Sequence, residues 1–133
     1  MMTRRTFLLG MVGTVPLMAA AGAAEPQLEG TRWRLVSFGY LRMAVPDNIW
    51  IWLKGGRFEG NAGCNGLGGT YERQGSLIRF RQGPSTMRAC PEMGMETRFR
   101  RRLEEVESWE IEKGRLLLKR EGKPLLIFSP DGP

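Results

Sequence analysis

Residues 60–69 read Gly60-Asn61-Ala62-Gly63-Cys64-Asn65-Gly66-Leu67-Gly68-Gly69, and the role assigned to these glycines decides the fold. A dinucleotide fingerprint needs G-x-G-x-x-G opening a helix. Here Gly66-Leu67-Gly68 is followed by Tyr71 at the third-glycine position, strand-forming residues come next, and the chain has no G-x-x-x-x-G-K-[ST] phosphate loop. That weakens nucleotide binding on a parallel sheet. Two other readings compete with it. Cys64 could be a nucleophile; with no His in the chain, a Lys or Arg would have to activate it. Alternatively the glycines are structural. They would form a tight hairpin, with Asn65-Gly66 as the turn dipeptide because both residues tolerate positive φ. Cys64 would then pair with Cys90, the only other cysteine.

The flanking sequence favours short antiparallel strands. In residues 31–38, Trp33 and Leu35 alternate with Arg32 and Arg34. Residues 40–48 contain Pro46 and Asp47 and read as a loop. Ile49-Trp50-Ile51-Trp52-Leu53 is apolar on both faces, so a strand here either is buried on both or exposes Trp50 and Trp52 as a binding face. Gly55-Gly56 turns the chain into Arg57-Phe58-Glu59, and Gly75-Ser76 turns it between strands at Thr70-Tyr71-Glu72 and residues 77–81. After Pro91, the residues Met95, Phe99, Leu103 and Val106 form one apolar helical stripe. The opposite face carries Arg98, Arg100, Arg101, Arg102, Glu104 and Glu105, read as solvated or as a contact for anionic lipid. Glu96 and Arg100 form an i,i+4 pair worth ~0.3 kcal/mol. Strand patterns return after Ser108, with turns at Gly114 and Gly122. About eight short strands and one amphipathic helix specify an α+β domain: an antiparallel, curved, barrel-like sheet with the helix packed on it.

Residues 1–24 differ in kind. A basic start at Arg4 and Arg5 precedes an apolar run broken by Gly10, Gly13 and Pro16, then the small residues Ala19-Ala20-Ala21-Gly22-Ala23-Ala24. This is the layout of a secretory signal peptide, cleaved after Ala23 or Ala24. Arg4, Arg5, Phe7 and Leu8 resemble a twin-arginine signal; a general secretory signal carrying two arginines is the plainer reading. Either way the expected location is the bacterial periplasm or the medium. No Cys lies in or just after the apolar run, so a lipid anchor is not expected there. No other apolar stretch is long enough for a spanning helix.

The full chain of 133 residues has a net charge of +6; without Arg4 and Arg5 it keeps 18 basic and 14 acidic residues, a net +4. It has no dense basic stripe interleaved with aromatics, so nucleic acid is not an expected partner. The absence of His excludes Ser-His-Asp and Cys-His catalysis and HExxH zinc sites. Two cysteines are too few for a Cys₄ zinc site or an iron–sulfur cluster.

Three segments carry a family resemblance. Gly30-Thr31-x-Trp33-x-Leu35, then Phe58-x-Gly60-x-Ala62-Gly63-Cys64-Asn65-x-x-x-Gly69-x-Tyr71, then Thr86-Met87-x-Ala89-Cys90-Pro91 resemble the META domain, the family of the HslJ heat-shock protein. The resemblance covers residues 30–128, leaving residues 25–29 as a linker and 129–133 as a tail. It implies a barrel-like antiparallel sheet wrapped on one helix, an envelope location, and links to heat stress and antibiotic tolerance. It implies no established enzyme activity. The chain departs from many bacterial members in having no lipoprotein cysteine. The expected function is that of an exported, non-enzymatic envelope protein, without cofactor or metal, acting as a monomer on an envelope component or small ligand. The alternative is a small-ligand or peptide-binding module using the mouth of the sheet or the Trp50/Trp52 face.

If the twin-arginine receptor reads the guanidinium pair, Arg4→Lys/Arg5→Lys stops export while preserving charge. Cell fractionation tests this; normal periplasmic yield of the Lys–Lys chain returns the segment to the general secretory route.

Overall fold

Apolar and polar residues alternate in nearly every strand, and this alternation gives the sheet an inside and an outside. The computed structural model describes residues 25–85, 89–91 and 93–131. The elements are β1 (Arg32–Ser37), β2 (Ile49–Lys54), β3 (Arg57–Ala62), β4 (Gly66–Gln74), β5 (Leu77–Gln82), α1 (Met93–Glu105), β6 (Ser108–Glu112), β7 (Arg115–Arg120) and β8 (Lys123–Pro130). Each strand is antiparallel to the next, and β8 returns to β1 to close a barrel-like ring. Trp33 and Leu35 of β1, Ile49, Ile51 and Leu53 of β2, and Leu126 and Phe128 of β8 are fully buried inside it. Each such aliphatic side chain contributes about 1.5–3 kcal/mol through removal from water.

The helix completes the core. Phe99 and Leu103 are fully buried, and the Phe99 ring meets Phe128 edge-on at 6.4 Å between centroids. Met95 is partly buried, and Val106, just past the helix end, is buried. α1 packs against β5, β3 and β8. The ring is thinnest between β5 and β6, where Leu77 and Ser108 are the one register pair, flanked by Ile78 N–H to Glu107 O and Trp109 N–H to Ser76 O. Among the described residues no helix is long and apolar enough to cross a membrane.

Four sequence expectations need correction. The turn between β3 and β4 is Gly63-Cys64-Asn65, with Gly66 already in β4: Gly63 has φ +127°, while neither Asn65 nor Gly66 has positive φ. Gly66, Gly68 and Gly69 are strand residues, so β4 begins inside the glycine run instead of resuming at Thr70. Residues 25–29 are more than a linker, because Leu28 is buried and its carbonyl accepts the Trp33 Nε1–H at 3.0 Å. Of the tail expected at 129–133, residues 129–131 are part of the sheet and its closure: β8 runs to Pro130, and Asp131 N–H donates to Arg32 O at 2.7 Å.

Two glycines explain how so short a sheet closes. Gly60 and Gly69 stand at inward positions of β3 and β4. A Cβ on Gly60 would lie 2.1 Å from Trp50 O, and one on Gly69 would lie 2.0 Å from Arg81 O. Only a residue without a side chain permits these approaches, which bend the sheet onto itself.

Phe99→Ala leaves a cavity in the closed core and is expected to cost about 3–5 kcal/mol. Arg101→Ala, on the exposed helix face, is expected to cost less than ~0.5 kcal/mol. Urea melts of the two variants check the order.

Candidate functional site

Glu96 lies three residues before Phe99 and seven before Leu103, so the helical period turns it inward with them. It is 2% exposed. A carboxylate removed from water is costly unless its oxygens are hydrogen-bonded. The β3–β4 turn supplies most of the donors. Glu96 Oε1 accepts the backbone N–H of Cys64 at 3.1 Å and of Asn65 at 2.9 Å. Oε2 accepts Asn65 Nδ2–H at 3.0 Å and Arg100 Nε–H at 3.2 Å. Burial by itself would raise the Glu96 pKa; the hydrogen bonds from Asn65, Cys64 and Arg100 outweigh it and hold the carboxyl below its ordinary value. With donors on both oxygens, the group is fixed as an anion that anchors a turn.

The network extends through Arg100. Its Nη2 donates to Gly66 O at 3.1 Å and its Nη1 to Gln82 Oε1 at 3.2 Å, while Gln82 Nε2 donates to Arg100 O at 2.9 Å. Cys64 and Cys90 form a disulfide with Cα atoms 6.2 Å apart, tying the same turn to the segment before α1. For the sequence separation of 26, the chain-entropy model gives about 3.5 kcal/mol of stabilisation.

This clamp fixes one end of an outer groove. The register places Trp50, Asn61 and Gly66 in one outward row, and Trp52, Glu59 and Gly68 in the next. Gly66 and Gly68 leave the floor bare. Gly83 N–H donates to Gly68 O at 2.8 Å and holds the Gly83-Pro84-Ser85 segment alongside β4. Two adjoining hollows result. One of about 630 Å³ is lined by Trp52, Lys54, Arg57, Glu59 and Gly68 among others. The second, of about 680 Å³, is lined by Trp50, Glu59, Gly60, Gly66, Gly68, Pro84 and Ser85 among others. Trp50 and Trp52 are half-buried, between the two alternatives that the apolar β2 sequence presents. The Arg32 guanidinium lies 4.0 Å from the Trp50 ring centroid and is paired with Asp131 at 3.0 Å, which steadies the indole.

A hollow of about 800 Å³ also opens beside β6, between residues 25–28, the β4–β5 turn and Lys119 of β7. Two of its polar groups are already engaged: Trp109 Nε1–H donates to Gly75 O at 2.9 Å, and Lys119 pairs with Glu110 at 2.9 Å. The Trp50/Trp52 groove is therefore the better candidate for a ligand.

The residues singled out in the sequence fall into separate structural roles. Gly30 has φ +85° and its N–H donates to Leu53 O at 2.9 Å, placing Thr31 at the entrance to β1. Trp33 is core, and Tyr71 is buried with its hydroxyl donating to Glu29. Burial, followed by this bond to a carboxylate, raises the Tyr71 pKa above 10.0. Pro91 lies exposed just ahead of α1. Arg4, Arg5, Phe7, Leu8, the Ala23/Ala24 junction, Thr86 and Met87 lie outside the described residues. Sequence reasoning missed Glu96, Arg100 and Gln82 as a unit and treated Glu96–Arg100 as a surface pair. The available signal was the three- and four-residue spacing that places Glu96 in line with Phe99 and Leu103.

Residues 26–132 match the family model described as META domain. No curated protein matches the chain. A DUF4847 family protein from Bacteroides vulgatus, solved by crystallography, is similar in fold with a TM-score of 0.57 at 18% identity, over 77% of this chain and 93% of that one. A Burkholderia xenovorans protein solved by NMR gives 0.64 at 19% identity, over 90% of this chain and 100% of that one.

Glu96→Gln sets an amide N–H₂ against donors from Asn65 or Arg100 and is expected to cost about 1–3 kcal/mol at pH 7. The depressed Glu96 pKa also fixes a pH dependence. Its contribution is complete above the unfolded value near 4.5 and disappears as pH falls through the lower folded value. Denaturant midpoints measured from pH 7 to pH 3 are expected to fall less steeply for Glu96→Gln than for the natural chain.

Proposed function

The chain belongs to the META domain family, and from that premise we propose that it is an exported, non-enzymatic protein of the bacterial envelope that supports tolerance of heat and of antibiotics. Three features support this reading. Residues 1–24 have the composition of a signal peptide. The Cys64–Cys90 bond suits an oxidising compartment. Glu96, the one buried carboxylate among the described residues, supports the non-enzymatic part. This buried carboxylate is held ionised and bonded through both oxygens, which favours anchoring over proton transfer.

The groove favours a second, compatible reading: the protein acts by binding. Two half-buried indoles on a strand, facing a floor without side chains, form a concave site with apolar walls and nearby polar groups.

A deletion strain tests both. It is expected to lose survival under heat and under a novobiocin-type drug, and the natural chain is expected to restore it. A Trp50→Ala/Trp52→Ala chain, verified as folded and exported, is expected not to. Unchanged survival of the deletion strain removes the stress role; full rescue by the double variant removes the binding face.

A further inference from the structure

Next to Trp52 on the outer face, the register sets Lys54 opposite Arg57, Arg57 opposite Thr70, and Thr70 opposite Arg81. All four are exposed. Strand spacing makes this a row about 14 Å long, and the alternation along β2 sets Lys54 about 7 Å from Trp52 and Trp52 about 7 Å from Trp50. The row contains three cations, one hydroxyl and no acid. Among the described residues, none of the three cations has an ion-pair partner. Like charges directly opposite one another on a sheet are destabilising, and no ion pair among the described residues offsets the Lys54–Arg57 pair. Lys54, Arg57 and Thr70 line the same hollow as Trp52.

The chemistry of that hollow is selective. Unpaired cations call for an anion. The bare floor at Gly68 and the Trp52 indole call for something broad with an apolar face. Glu59, in the same row as Trp52, would repel a simple anion but can accept hydrogen bonds from hydroxyl groups. A ligand satisfying all three demands carries rings, hydroxyls and acidic groups together. Resting on the reading of the Trp50/Trp52 groove as a binding face, we propose that it binds an acidic saccharide. Sugar rings lie along Trp50 and Trp52 over the glycine floor, hydroxyls donate to Glu59, and carboxylate or phosphate groups meet Lys54, Arg57 and Arg81.

The test uses the purified chain and tryptophan fluorescence, with tetragalacturonate as the carboxylate source, pentamannose phosphate as the phosphate source, and their neutral counterparts, the methyl ester and mannopentaose. At least one acidic probe is expected to bind saturably, about tenfold more tightly than its neutral counterpart, and more weakly as salt rises. Arg57→Gln and Lys54→Gln are expected to weaken it about fivefold or more. Both substitutions are on exposed positions, and an unchanged melting curve shows that the fold is kept. Trp52→Leu is expected to remove most of the signal. Which acidic probe binds identifies the source. Equal affinity for acidic and neutral probes, no effect of Arg57→Gln, equal competition by inorganic phosphate, or no binding at all would overturn the assignment. No saccharide binding alongside failed rescue by the Trp50→Ala/Trp52→Ala chain would discard the acidic sugar and leave the binding face standing. Full rescue by that chain would remove the face itself.

Discussion

A buried carboxylate on the only helix among the described residues holds the architecture together. Glu96 brings a charge into the interior, and the β3–β4 turn answers it with two backbone N–H groups and an amide side chain. The two parts depend on each other. Without the turn the charge is stranded in a medium that solvates it poorly, and without the charge three donors lose their acceptor. Arg100 and Gln82 pass the constraint to the start of β4 and the end of β5, and the disulfide secures the same turn from its other side. One electrostatic knot thus sets where the helix sits, where the hairpin turns, and where the groove begins.

The glycines divide according to which way their missing side chains would point. Gly60 and Gly69 face inward and allow backbones to touch where the sheet bends. Gly66 and Gly68 face outward and leave the surface bare between Trp50, Trp52 and the Gly83-Pro84-Ser85 segment. A single glycine-dense run therefore closes the ring and lays the floor of the candidate site. The split follows from the two-residue period of a strand, although its phase depends on register.

Much of the fold was legible because its signals are local. Alternation located the strands, and the Gly55-Gly56, Gly114 and Gly122 turns separated them. The stripe through Phe99 and Leu103 fixed the inner face of the helix. What escaped depended on partners distant in sequence. Leu28 looks like linker until Trp33 Nε1–H reaches its carbonyl. Asn65-Gly66 has the composition of a turn, yet Asn65 is drawn inward by a carboxylate 31 residues away. The cation row on Lys54, Arg57 and Arg81 emerges only when the register is known, because nothing in the linear chain sets these residues side by side. Trp50 and Trp52 were visible as a pair; the Arg32 guanidinium lying on the Trp50 ring was not.

The narrow seam between β5 and β6 has a consequence for how the molecule fails. Beyond Ile78, β5 pairs only with β4, and α1 packs against it. The helix therefore acts as the guard of an open strand edge as well as a core element. If α1 lifted away while the strands stayed paired, β5 would present unsatisfied N–H and C=O groups to any neighbouring chain, the geometry from which edge-to-edge association grows. On this geometry α1 covers the edge at which pairing with another chain would start, as well as filling the core.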